Sequence, residues 1–306
     1  YGAEIERELD EVNPVAGYSD LIELEPDGDE VKFDRRVLKT SGRIVDASPS
    51  RPGEVLFAHS AHPNALYRSS IRRLEHPLDS WAQLDSRQPD APVLLAELDD
   101  PVLGWLVDRE GAVRAALALS LEPVELRLWY RPTDDARWKI VRREDEVDRF
   151  DDLIPLGFSP DGETLLVASA LERDRYGLYE YDPTTNRVGR LLYEHPTADL
   201  QGLVFDAEGR EVLAAVYVED GELRYAYLST ASDELRKGLE TLFPDSIVAI
   251  TGLSADRRRV ALWVSRSDDP GGYVAYDLDT KTVNPLGRVA PWLDDNRLAE
   301  VEVLHV

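Results

Sequence analysis

The stretch Leu156-Gly157-Phe158-Ser159-Pro160-Asp161-Gly162, followed after Glu163 by Thr164-Leu165-Leu166-Val167-Ala168-Ser169, decides the fold. A short apolar strand meets a Ser-Pro-Asp-Gly turn and a second, wholly apolar strand leaves it, which is the pattern of a tight β-hairpin. The same hairpin recurs in Leu103-Gly104-Trp105-Leu106-Val107-Asp108-Arg109-Glu110-Gly111 before VRAALAL, in Gly202-Leu203-Val204-Phe205-Asp206-Ala207-Glu208-Gly209 before EVLAAVY, and in Gly252-Leu253-Ser254-Ala255-Asp256 before VALWVS. A looser copy, Arg43-Ile44-Val45-Asp46-Ala47-Ser48-Pro49 before EVLFAHS, precedes them. Aligning the turn aspartates Asp108, Asp161, Asp206 and Asp256 gives steps of 53, 45 and 50 residues. That is the length of one propeller blade.

A second kind of hairpin lies between these turns. It is rich in tyrosine and closes on polar residues, as in Leu178-Tyr179-Glu180-Tyr181-Asp182-Pro183-Thr184-Thr185-Asn186 before VGRLLYEH. Counterparts are the stretches 273–280, 223–228, 126–130 and 21–28. Two hairpins per period make a four-stranded antiparallel sheet. The runs 165–168, 212–216 and 260–264 are nearly continuously apolar, as expected where neighbouring sheets cover both faces. The expected fold is therefore all-β: a single β-propeller domain over 1–306, of four-stranded antiparallel blades at about 43–100, 101–150, 151–197, 198–245 and 246–290. A partial blade falls at 18–38. One helix interrupts the series near 232–243. Ser232 is placed to cap it, Leu235, Leu239, Leu242 and Phe243 share a face, and Pro244 ends it. It reads as an insertion in the fourth blade, resting on a neighbouring strand.

Composition narrows the chemistry. The chain has 43% hydrophobic residues, a formal charge of −25, no cysteine and no methionine. Such acidity argues against nucleic acid, whose phosphates require a basic footprint. It suits a salt-adapted or GC-rich source, as does lysine confined to Lys32, Lys39, Lys139, Lys237 and Lys281. Without cysteine there is no thiol nucleophile, thiolate metal site or disulfide. No apolar run approaches the roughly 20 residues of a membrane helix, so no membrane association is expected. Starting at Tyr1 without methionine, the sequence reads as a fragment or processed form, and no signal peptide is visible.

Candidate chemistry is sparse. His59 and His62 form the one close histidine pair but have no evident third ligand, so a polar loop at a strand end outweighs a metal site. His76, His195 and His305 stand alone. Ser159 and Ser254 occupy turns where a hydroxyl serves the backbone nearby, and neither has a neighbouring histidine. The acidic stretch 144–152 lacks the ordered spacing of a calcium loop, and Asp27-Gly28-Asp29-Glu30 is a hairpin turn first. Arg257-Arg258-Arg259 is the one basic cluster, suited to a partner domain or a peptide carboxylate, with plain solvent exposure the blander reading. Trp105, Trp129, Trp138, Trp263 and Trp292 fall mostly in strand patterns and read as core. No catalytic, cofactor-binding or metal-binding residue is assigned.

The ordered set 102–111, 154–162, Tyr179-Glu180-Tyr181-Asp182-Pro183-Thr184-Thr185 and Pro291-Trp292-Leu293-Asp294 resembles the N-terminal propeller of serine peptidases of the prolyl oligopeptidase type, especially bacterial dipeptidyl aminopeptidase and acylaminoacyl peptidase-like members. The resemblance runs from about residue 40 to the end. It implies a propeller that caps an α/β-hydrolase domain of the same parent protein and restricts access to its Ser-Asp-His triad. That role implies short peptides as ligands and no cofactor. It also implies a soluble bacterial protein of cytoplasm or periplasm. No Gly-x-Ser-x-Gly nucleophile elbow occurs in the chain, so the triad is not carried over and the hydrolase domain is expected to be absent. The expected function is a non-catalytic, substrate-gating propeller module, the full-length parent being the peptidase. The alternative is a free-standing propeller for protein interaction or scaffolding.

Overall fold

The computed structural model describes residues 19–27, 30–46, 51, 53–76, 91–144, 153–171, 173–206, 211–219, 221–254, 256–293 and 298–299. The chain forms two compact units, residues 1–147 and 148–306. Every sheet in both is antiparallel and made of strands consecutive in sequence.

In the first unit, strands β1 (Ser19–Asp27) and β2 (Glu30–Leu38) pair as a hairpin. A four-stranded sheet follows: β3 (Gly42–Asp46), β4 (Glu54–His59), β5 (Ala65–Ser70) and β6 (Val93–Glu97), with a one-turn helix α1 (Ile71–Leu74) after β5. A second comprises β7 (Val102–Val107), β8 (Val113–Leu121), β9 (Val124–Tyr130) and β10 (Lys139–Glu144). The period-2 rule explains why β4 reads as an unbroken apolar run. Val55, Phe57, Ala65 and Tyr67 join Leu38 and Leu74 on one face. Leu56 and Leu66 join Ala96, Leu98, Trp105, Val113 and Ala116 on the other, so the two sheets share one core. A side chain such as Phe57, fully buried, contributes roughly 1.5–3 kcal/mol by leaving water.

The second unit repeats the plan. Its first sheet is β11 (Ile154–Phe158), β12 (Leu165–Ser169), β13 (Gly177–Asp182) and β14 (Arg187–Tyr193). Its second has three strands, β15 (Leu200–Phe205), β16 (Val212–Glu219) and β17 (Glu222–Tyr227), with helix α2 (Thr230–Leu242) following where the other sheets have a fourth strand. Its third is β18 (Ile247–Leu253), β19 (Arg259–Arg266), β20 (Asp269–Asp277) and β21 (Thr282–Arg288). Leu166, Ala168 and Leu178 meet Leu200 and Ala215 across one pair of sheets. Leu213 and Leu239 meet Val248, Ile250, Val260, Leu262 and Tyr276 across the next. Sheets of one blade's length, covering their neighbours within each unit, place the chain in the all-β, β-propeller class, as the hairpin repeat requires.

The helix falls where the sequence puts it, with two corrections. Its cap is Ser229, whose hydroxyl accepts the Ser232 N–H; Ser232 is buried in the first turn beside the Leu213 carbonyl. Leu235, Leu239 and Phe243 pack inward, whereas Leu242, at the margin of the stripe in the last turn, is 48% exposed.

The first strand of each blade carries a bulge. The register shifts between Val102 and Gly104, Pro155 and Gly157, Leu200 and Gly202, and Ile250 and Gly252. A β-bulge raises local twist, and in these four blades a glycine stands at the same side of it.

Candidate functional site

The hairpin turns come first, because they hold the serines. Asp108, Ser159, Asp206 and Ser254 occupy one structural position: each backbone N–H donates across the turn, to the carbonyl of Ala112, Thr164, Glu211 and Arg259 respectively. The equivalent spacing is thus 51, 47 and 48 residues from Asp108 to Ser159, Asp206 and Ser254. This corrects the aspartate alignment, since Asp161 and Asp256 sit two residues beyond the matching place. Where the residue is aspartate, Oδ1 accepts the far N–H, from Ala112 at 2.8 Å or Glu211 at 3.2 Å. Where it is serine, Oγ accepts it instead, from Thr164 at 3.1 Å or Arg259 at 2.9 Å. Each serine Oγ also lies 2.6 Å from Oδ1 of Asp161 or Asp256. The Ser254 bond is the leading reason the Asp256 carboxyl is held below the usual carboxylate range. Both hydroxyls are therefore engaged in closing turns.

The turn also explains Arg257. Gly111 and Gly162 stand at φ +82° and +72°, and Arg257 takes the corresponding place at φ +57°. Its Nη2 reaches Glu211 Oε2 at 3.1 Å and Asp206 Oδ2 at 3.5 Å. Arg258 lies 3.1 Å from Asp279 and Arg259 3.5 Å from Asp277. All three side chains are more than half exposed, and each faces a carboxylate of its own unit. Exposed pairs of this kind contribute about 0–1 kcal/mol.

The histidines serve loops. His59 is buried and its Nδ1 accepts the Ala61 N–H at 3.0 Å. His62 lies 5.9 Å from it, ring to ring. Burial lowers the His62 pKa, with His59 adding to the effect and Glu97 opposing it. His195 Nδ1 accepts the Ala198 N–H at 3.1 Å while the ring stacks on Tyr217 at 4.2 Å. Beside it, burial first, then Tyr217 and Glu219, push Tyr193 up to about 12. His76 follows α1, its carbonyl accepting the Thr40 hydroxyl. His305 and residues 145–152 of the acidic stretch lie outside the described residues, as do Gly28 and Asp29. Among the described residues no group of three or more histidines and carboxylates could hold a metal ion.

Two features of the first unit escape the sequence. One is a charge cluster on β9 and its surroundings. Arg127 Nη1 lies 3.0 Å from both oxygens of Asp100 and its Nε 2.5 Å from Glu125; Arg143 reaches Glu125 from β10 at 2.6 Å. The Arg127 hydrogen bond leads in holding the Glu125 carboxyl low. The other is a cavity of about 140 Å³ lined by Arg51, Arg68, Glu110 and Asp134 with Leu56 and Leu95. It is well below the roughly 300 Å³ at which ligand sites begin. Sequence gives no signal for either, because Asp100 joins the β9 cluster from 27 residues away and the cavity is lined by residues of two sheets.

Of the tryptophans, Trp105 is buried and meets Trp138 edge-on at 6.0 Å, and Arg131 lies over Trp138 at 4.6 Å. Trp292 contradicts the core reading: it follows β21 outside any strand and is 78% exposed.

No protein-family model matches the sequence, and comparison with curated proteins finds no match. Several solved structures are similar in fold at low identity. A putative TolB from Agrobacterium tumefaciens is 12% identical, with 83% of this chain and 84% of that one covered and a TM-score of 0.48. A puromycin-hydrolyzing peptidase from Mycobacterium tuberculosis is 18% identical over 89% of this chain and 45% of its own, at 0.47. TolB from Acinetobacter baumannii is 16% identical over 89% and 69%, at 0.42. The chain thus spans less than half of the mycobacterial peptidase. No helix among the described residues is long and apolar enough to cross a membrane.

Proposed function

We propose that the chain is a non-catalytic propeller module that screens short peptides for a serine peptidase domain of the prolyl oligopeptidase type, the hydrolase being supplied by the same parent protein. The supporting observation is that three of the four motifs carrying the resemblance are working parts of successive blades, the fourth, Pro291–Leu293, following the last strand. The stretch 102–111 forms β7 and the turn into β8, and 154–162 forms β11 and the equivalent turn into β12. Tyr179–Thr185 forms the end of β13 and the turn into β14, where Asp182 accepts from Thr184 and Thr185. In this reading the module binds and excludes, and breaks no bond. Arg257, Arg258 and Arg259 are the proposed contact for a partner domain or a peptide carboxylate, which would exchange one carboxylate partner for another.

The test is hydrolysis of acyl-peptide and aminoacyl chromogenic substrates by this chain and by its full-length parent. Activity is expected only in the parent. Turnover by the purified chain itself, or a parent reading frame lacking a hydrolase domain, would overturn the proposal. A free-standing interaction module is the second reading. It is favoured by one observation, the sheet that stops at three strands.

A further inference from the structure

The connection from β14 to β15, residues 194–199, is fastened at its start by one side chain. His195 Nδ1 accepts the backbone N–H groups of Thr197 at 3.3 Å and Ala198 at 3.1 Å, with the Thr197 hydroxyl at 3.4 Å. Pro196 has no N–H to offer, so these are the first two amides after the histidine. The ring stacks on Tyr217 of β16 at 4.2 Å, and its Nε2 lies 3.9 Å from Glu219 Oε1 on the same strand. The far end of the connection is tied independently. There Asp199 Oδ1 accepts the Tyr176 N–H at 2.8 Å, and the Leu200 N–H donates to the Tyr176 carbonyl.

A backbone N–H can only donate, so Nδ1 presents a lone pair and the neutral ring keeps its proton on Nε2, toward Glu219. A second proton can enter only at Nδ1. It would meet the Thr197 and Ala198 amides donor against donor, and both bonds would be lost. Glu219 pulls the other way, because a neighbouring carboxylate favours the imidazolium. The other ionisable groups around the ring are engaged, neutral or opposed to it. Glu194 pairs with Arg173, and Asp199 is taken by the Tyr176 amide. Tyr193 on β14, which burial foremost pushes up to about 12, stays neutral. Arg224, the register partner of Tyr217 on β17, opposes a second cation on that face. Histidine is the side chain that ordinarily changes charge between about pH 5 and 8. We propose that His195 is a proton-operated latch on this connection: neutral, it holds the Thr197 and Ala198 amides to a ring stacked on β16; protonated from solvent at Nδ1, it releases them and pairs with Glu219.

The test is NMR of the whole, isotopically labelled chain between about pH 7.5 and 5.5. At the upper pH the His195 ring should show a bare Nδ1 and a protonated Nε2. As the ring takes up its proton, the Ala198 amide should shift with the same midpoint. It should also lose at least about tenfold in exchange protection, corrected for the intrinsic rate, which is one ordinary hydrogen bond's worth. The Tyr176 amide, bound to Asp199, should stay protected. His195→Asn puts an acceptor that does not titrate where Nδ1 stands, in the residue that commonly binds the amide two positions on, and should hold Ala198 at both pH values. Glu219→Gln should keep the response and move its midpoint to lower pH, by about 0.2–0.7 unit for so exposed a pair. A protonated Nδ1 at the upper pH, an Ala198 amide indifferent to the ring's titration, an equal response in His195→Asn, or an unmoved midpoint in Glu219→Gln overturns the proposal. So does a loss of Tyr176 protection together with that of Ala198, which would mean that the sheets part and no local latch exists. If His195→Asn fails to fold, the joint titration in the parent and in Glu219→Gln still decides.

Discussion

The glycines beside the bulges give a sharp test of how the blades pack. Gly104, Gly157, Gly202 and Gly252 hold the same place in their first strands, and none has a positive φ. Alanine therefore strains the backbone at none of them. A Cβ at Gly104 or Gly202 would meet nothing within 4 Å, and at Gly252 only the Ala261 Cβ at 4.0 Å. At Gly157 it would stand 2.7 Å from Cζ and 3.2 Å from Cε2 of Phe205, a side chain of the neighbouring blade. Ordinary carbon–carbon contact is about 3.5–4.0 Å, so the ring must move within the core it shares with Leu166 and Ala215. All four substitutions gain about 0.4–1 kcal/mol by restricting the unfolded chain, and that gain cancels in a comparison among them. What remains at Gly157 is overpacking, about 1–3 kcal/mol. Urea denaturation followed by tryptophan fluorescence should leave Gly202→Ala at or above the parent midpoint and Gly157→Ala below it. Adding Phe205→Leu should cost less in the Gly157→Ala background than alone, with a coupling of about 0.5–3 kcal/mol. Equal midpoints for Gly157→Ala and Gly202→Ala, or an absent coupling, would refute the packing.

Three further outcomes are expected. Gly162→Ala, forced to keep φ +72°, should lose about 1–2 kcal/mol by chemical denaturation, whereas Arg257→Gly at the matching position should be near neutral, relief of strain offsetting a lost surface pair. Leu239→Ala, at 1% exposure in the core between helix and sheet, should cost about 2–5 kcal/mol, and Leu242→Ala within about 0.5 kcal/mol, read from the same curves. The lowered pKa of His62 means that the unfolded chain takes up its proton first as pH falls. The stability it supports is present above about pH 6.5 and lost below it; midpoints at pH 7.5 and 5.5 should therefore converge in His62→Gln, and an unchanged difference would discount the histidine.

The blade plan was legible because its signals are local. Asp108 and Ser159 sit between strands a few residues away, and a run such as 165–168 declares by its unbroken apolarity that both faces are covered. What sequence could not give depends on residues distant in the chain. Serine and aspartate read as different turn positions until the hydrogen bonds showed Ser159 and Asp108 doing one task. The partners of Arg257 lie on the preceding blade, at Asp206 and Glu211, and Arg127 reaches Asp100 from 27 residues away. The three-strand sheet was hidden because the helix, legible as a helix, reads as an insertion in a four-stranded blade, whereas it follows β17 where the other blades have a fourth strand. Trp292 was misplaced for the opposite reason: a large ring after the last strand has no neighbour in sequence to say whether anything covers it.

Since each ladder among the described residues joins strands adjacent along the chain, these sheets can form without a distant segment. Loop closure stays inexpensive, and the hairpins can condense as they emerge from synthesis. The shared cores set the opposite constraint, because a blade without its neighbour leaves one face wet. Order should therefore spread by accretion from one blade to the next, as in other repeat chains, and a lesion at Gly157 should loosen the blade that carries Phe205 as readily as its own.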